Sequence, residues 1–158
     1  MMEHPVTTIS EHAQAHSRAL LEHAYQRYCG LRLIEQRPGF CQCRLRVTEA
    51  IDNLSHTLHG GVLYSMLDVV SMLATLPMLG PDEYALTNSF NSMMMSATPL
   101  GTEVLFEAEV VRSGRNLIFT HSQAWKLVED GKRVQVASAQ LSKFRMRYDW
   151  KADAAKTG

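Results

Sequence analysis

Nearly every residue from Val62 to Leu76 is apolar or small, and the one carboxylate among them is Asp68. No polar stripe lies opposite an apolar one, so a helix over this stretch is predicted to be enclosed by protein on every side. Pro77 and Gly80-Pro81 end it, because proline lacks the backbone donor and drives the residue before it out of the helical region. The rest of the chain must therefore wrap this helix. A membrane span is the rival reading of the same run, and Asp68, Pro77 and the interspersed Ser and Thr in a barely sufficient length argue against it.

An ionised side chain among apolar neighbours is costly unless it is paired or hydrogen-bonded. Asp68 is either an acid on a local edge of the helix, reaching solvent or a surface lysine, or a catalytic carboxylate. The second is favoured because isolated buried acids gather at working sites. Directly before the helix stand Gly60 and Gly61, where a Ser, Thr, Asp or Asn cap is usual. A Gly-Gly pair is often only a turn. This one opens a helix, whose first turn carries free N–H groups and a partial positive charge, so bare backbone outlines a site for an oxygen anion. Asp68 lies nearly on the face of Gly61 but roughly 10 Å further along the axis, so the two cannot serve one carbonyl within one chain. If both are catalytic, a second copy with its helix antiparallel must bring its Asp68 to the first copy's glycines.

Around the central helix, residues 10–29 read as an amphipathic N-terminal helix with Ser10 as cap and Gly30 as stop. On it, His12 and His16 share a face at a spacing that can bind metal, yet no third ligand is in register, and a solvated face is the expectation. Strands are predicted at 31–37 and 40–47, turning at Pro38-Gly39, and a loop from Thr48 to Leu58 leads into the helix. Four more follow at 84–96, 103–112, 117–128 and 133–147, the last pair joined by the two-residue signal Asp130-Gly131. In the strand at 103–112, Val104, Phe106, Ala108 and Val110 alternate with Glu103, Glu107 and Glu109, so one face is buried and the other wet. The fold class is α+β, an antiparallel meander around one helix, and residues 1–158 are read as a single domain with a flexible tail over 148–158.

Sixteen basic and sixteen acidic residues cancel, which removes the positive field that nucleic-acid binders use. Cys29, Cys41 and Cys43 cannot complete a disulfide framework or a structural zinc site, and no leader pattern opens the chain, so a reducing cytoplasm is expected. No G-x-G-x-x-G, P-loop or serine elbow is present, and no cofactor is expected.

His-Gly-Gly, then Asp on the ninth position after the His, with Asn53 six residues before it, resembles the hotdog-fold acyl-CoA thioesterases of the phenylacetyl-CoA type. The resemblance covers roughly residues 30–147. It implies a hotdog fold, an acyl-CoA substrate, and water attacking a thioester with Asp68 activating the water and the Gly60 amide polarising the carbonyl. In that family the two residues come from opposite subunits of a dimer, and dimers often pair into tetramers. The resemblance further implies that Asn53 helps hold the substrate carbonyl, against an Asx turn as the plain alternative, and that Thr87 orients the attacking water, against ordinary strand pairing. His59 is read as fixing loop shape, since a general base would duplicate Asp68. His56 departs from the family's usual Gly, a position where a positive φ is expected.

In the strand at 84–96, alternation puts Thr87, Ser89 and Asn91 on one face, followed by Met93 and Met95. Met93, Met94 and Met95, with Met66 and Met72 on the helix, can line an acyl pocket, beside which Gly61 opens the helix; core filling is the favoured alternative. Lys143, Arg145 and Arg147 share one face of the last strand and Arg115 sits in a turn, so Arg115, Lys143 and Arg145 can meet coenzyme A phosphates unless they form a solvated edge. A non-catalytic module that binds or senses acyl thioesters is the rival function, and the buried carboxylate argues against it. A hotdog dehydratase ranks third, for want of a recognisable His-plus-acid motif.

Overall fold

The computed structural model describes residues 8–147. The expected tail at 148–158 lies outside the described residues. Six strands form one antiparallel sheet: β1 (Arg32–Arg37), β2 (Phe40–Arg46), β3 (Glu83–Met94), β4 (Glu103–Ser113), β5 (Leu117–Leu127) and β6 (Arg133–Arg147). Their order across the sheet is β1-β2-β4-β5-β6-β3, so β1 and β3 are the edges. Helix α3 (Gly60–Thr75) lies across the inner face of this sheet. Leu63, Met66, Leu67, Val70, Leu73 and Ala74 of α3 pack with Cys43, Leu45, Val104, Phe106, Ala108, Ala124 and Ala139 in one buried core.

The alternation read along 103–112 gives this arrangement directly, since Val104, Phe106 and Ala108 are buried while Glu109 is exposed. Gly60–Met78 is the one stretch among the described residues long and apolar enough to cross a bilayer, and half of it is buried inside the protein. Enclosure is nonetheless incomplete. Gly61 and Tyr64 are exposed and Ser65 and Asp68 half-exposed, at the spacing of one face of the helix, so a stripe runs open along α3. The expectation of a helix covered on every side thus fails on one face of the single chain.

Three further differences from the sequence reading have identifiable places in the chain. The N-terminal helix is two helices, α1 (Glu11–Glu22) and α2 (Ala24–Cys29), with His23 extended between them. No glycine or proline marks that break. α2 ends at Gly30 with φ 74°, as the capping glycine predicts. The link between β5 and β6 is longer than two residues: the Val128 amide donates to the Lys132 carbonyl across Glu129–Gly131, with Asp130 and Gly131 both at positive φ. The third difference is a register shift in β3 between Thr87 and Ser89. A bulge inserts one residue and exchanges the two faces of everything beyond it.

In the loop that leads to α3, His56 has φ 55°. Left-handed backbone costs a side chain-bearing residue roughly 1–2 kcal/mol, and the imidazole recovers part of this through Nδ1, 3.1 Å from Asp52 Oδ2. His56→Gly is therefore expected to leave stability within about 1 kcal/mol of the parent, whereas His56→Val is expected to lose about 1–3 kcal/mol. Urea unfolding of the two variants measures this, and equal losses would contradict the strain assignment.

Candidate active site

Helix α3 begins at His59, whose side chain caps it. Nδ1 of the imidazole accepts from the Gly61 amide at 2.9 Å, while the His59 carbonyl receives the Val62 and Leu63 amides at 3.0 and 3.1 Å. To accept, Nδ1 must be unprotonated. The amide left without a partner among the described residues is that of Gly60. The two glycines consequently differ. A Cβ on Gly61 would stand 3.0 Å from His59 Nδ1, so bare backbone there makes room for the cap. A Cβ on Gly60 would meet only the end of Met94, at 3.3 Å.

The loop before the cap is held by Asn53. Its Oδ1 accepts from the Ser55 amide at 2.9 Å, and its Nδ2 donates to Thr57 Oγ1 at 3.0 Å. This is the Asx turn, and it leaves one Nδ2 hydrogen uncommitted. Asp52, Asn53, Leu54, Ser55, His56 and His59 line an open cavity of about 750 Å³ beside the helix start.

Two turns of helix further on, Asp68 lies against β3 and β6. Its Oδ1 accepts from Thr87 Oγ1 at 2.7 Å and from Lys143 Nζ at 3.0 Å, and Lys143 Nζ also donates to Thr87 Oγ1 at 2.7 Å. Asp68 Oδ2 has no partner among the described residues, and the Asp68 side chain is 42% exposed. The Lys143 side chain is fully buried. Burial presses the Lys143 ammonium below the usual lysine range, and the neighbouring Asp68 charge partly restores it.

Thr87, Phe90 and Met94 face α3, against Asp68, Tyr64 and Gly60 respectively. Ser92 falls between the last two, and its hydroxyl is buried without a partner among the described residues. Of the three methionines read as pocket lining on this strand, Met93 and Met95 are exposed and Met94 meets the helix start. The bulge after Thr87 turns Met93 outward, and Met94 is the thioether at the glycine end. No signal in the sequence distinguishes a bulged β3 from a regular one.

Lys143 is likewise corrected, since a fully buried ammonium engaged by Asp68 and Thr87 is not a surface contact for phosphate. Arg145 and Arg115 do come together, in an open cavity of about 770 Å³ with Glu83, Ser113, Gly114, Asn116 and Arg147. Arg145 is partly engaged there, donating to Glu83 Oε2 at 2.7 Å and to Ser113 Oγ at 2.6 Å. The Gly80 amide, with help from Arg145, holds the Glu83 carboxyl below its usual range. Among the described residues no three His, Cys, Asp or Glu side chains gather where they could hold a metal.

Residues 55–132 match the thioesterase superfamily. Human acyl-coenzyme A thioesterase 13 is 27% identical over 117 residues, which span 70% of this chain and 83% of that protein. Among solved structures, a thioesterase family protein from Silicibacter pomeroyi superposes with a TM-score of 0.78 at 20% identity, covering 85% of this chain and 98% of its own. The Escherichia coli PaaI protein from the phenylacetic acid degradation operon gives 0.75 at 20% identity, covering 88% and 96%. The superpositions establish the hotdog fold.

The unequal roles of the glycines are open to measurement. Gly61→Ala is expected to displace the His59 cap and lose about 1 kcal/mol of stability, while Gly60→Ala, which meets only the flexible end of Met94, loses less. Chemical denaturation compares them, and the reverse order would contradict the capping geometry.

Proposed function

We propose that this chain, which belongs to the hotdog thioesterase family, hydrolyses acyl-coenzyme A by direct attack of water on the thioester. The observation that carries the mechanism is a carboxylate with one oxygen fixed and the other free: Asp68 Oδ1 is held by Thr87 and Lys143, while Oδ2 has no partner among the described residues on a side chain that is 42% exposed. Water bound at Oδ2 attacks the thioester carbonyl carbon and passes a proton to that oxygen. The carbonyl oxygen takes up the charge and is met by the Gly60 N–H at the helix start, in the field of the helix dipole. Collapse of the tetrahedral adduct breaks the carbon–sulfur bond, and the thiolate recovers the proton from Asp68. Thr87 in this reading holds the carboxylate rather than the water. The remaining Nδ2 hydrogen of Asn53 can reach the same carbonyl from the loop.

Gly60 and Asp68 stand about 12 Å apart along one helix, so this reaction needs two copies. Two features support a dimer. Edge strand β3 leaves one side unpaired, with Leu86 and Met93 exposed, and the open stripe of Gly61, Tyr64, Ser65 and Asp68 runs beside it. A second copy covering the stripe would bring its Asp68 to the first copy's Gly60, and two such dimers can form a tetramer. For the coenzyme, the cavity between Arg115, Arg145 and Arg147 sets three guanidinium groups against the single carboxylate of Glu83, a charge balance suited to phosphates.

Asp68→Asn is expected to lower kcat by about 10²-fold or more with a far smaller change in KM, measured as thiol released from an acyl-CoA panel on protein verified as folded. Unchanged turnover would remove Asp68 from the mechanism. Light scattering is expected to report a dimer or tetramer. An active monomer would refute the shared site.

A further inference from the structure

Lys143 stands apart from every other cation among the described residues, because it is fully buried and bonded to the carboxylate on α3. A buried ammonium is costly, and a packed apolar side chain would serve the fold as well, so the ammonium asks for a use other than packing. We infer that Lys143 is a positioning residue for the hydrolysis, holding Asp68 Oδ1 together with Thr87 so that Oδ2 alone takes the proton from water.

The hydrogen bonds leave little freedom. Thr87 Oγ1 gives its single proton to Asp68 Oδ1 and accepts from Lys143 Nζ, which itself donates to the same Oδ1. This closed triangle fixes the direction of the threonine proton and the plane of the carboxylate. A neutral side chain at position 143 would free Thr87 to rotate and let the carboxylate turn about its last bond.

Among the described residues no other charged group bonds to the triangle. Asp68 is the acid that α3 sets against Lys143. From β3 comes the uncharged Thr87, with Glu83 four residues earlier on the strand and paired to Arg145. From β5 the residue opposite is Ile118, and on β6 the next inward residue is Arg145, turned to Glu83. Burial lowers the proton affinity of Lys143, so the ammonium is lost at a pH below that of an exposed lysine. Activity that depends on it should fall over the same range.

The inference rests on the proposed role of Asp68, and the test separates the two. Rates with a short-chain acyl-CoA are measured against pH for the parent, Lys143→Met, Lys143→Gln and Asp68→Asn, each checked for folding by circular dichroism and for oligomer size. The parent is expected to lose kcat at alkaline pH, below the ordinary lysine range. Lys143→Met is expected to have kcat reduced at least about 10-fold at neutral pH with KM within about 3-fold and no alkaline loss. A structural role alone would lower the folded fraction and leave the shape of the profile unchanged. If Asp68→Asn is inactive while a folded Lys143 variant keeps the parent's kcat and profile, the positioning role is overturned and the general base stands. If Asp68→Asn is fully active, the mechanism itself falls. Should neither Lys143 variant fold, a parent profile with no alkaline loss up to about pH 10 overturns the inference by itself.

Discussion

A carboxylate on an otherwise apolar helix is held here by a fully buried lysine that reaches it from the inner face of the sheet. Lys143 and Asp68 are remote in sequence, and their contact at 3.0 Å requires β6 to lie beside β3 with α3 folded over both. Removing the carboxylate would strand a buried ammonium, a change that costs about 3–5 kcal/mol in enclosed pairs. That range is an upper bound at this site, since Asp68 itself is partly in solvent. The pair therefore binds the chemistry of α3 to the topology of the sheet, and Thr87, bonded to both, joins the edge strand to the same point.

The second constraint is the geometry of β3 against α3. Asp68, Tyr64 and Gly60 recur every fourth residue, and Thr87, Phe90 and Met94 meet them in order along an antiparallel strand. A regular strand could not do this. Thr87 is odd and Phe90 and Met94 are even, so only the bulge after Thr87 allows all three to face the helix. The bulge supplies the base with its threonine at one end and the helix start with its thioether at the other.

The sheet and the central helix were legible in the sequence because both are written in periodicity. Alternation in Val104, Phe106 and Ala108 marks a one-sided strand, and the unbroken apolar run after Gly61 marks a core helix. His56 was legible as a positive-φ position through the family resemblance alone, and the backbone there has φ 55°. What the sequence hid depends on relations that no local pattern encodes. Which of Met93, Met94 and Met95 faces the helix is set by one inserted residue in β3, which turns Met94 inward and Met93 outward. Lys143 looked like one of three basic residues on a wet strand face; whether an inward position meets solvent or a helix is decided by the packing of α3. The open face of α3 was hidden for a related reason, since Tyr64 and Ser65 count as apolar or small whether the covering surface belongs to the same chain or to another.

The central claim is that one catalytic site is assembled from the helix start of one copy and the Asp68 of another, and complementation measures it directly. Chains carrying Asp68→Asn are unfolded and refolded with chains carrying Gly60→Pro, which deletes the amide aimed at the oxyanion, and the mixed species is isolated and its folding verified. Each parent variant should be nearly inactive. In the heterodimer one site combines the intact glycine of the first chain with the intact aspartate of the second, so activity should return to about half that of the wild-type dimer. If a folded heterodimer remains as inactive as its parents, the two residues do not meet across copies and the account is wrong.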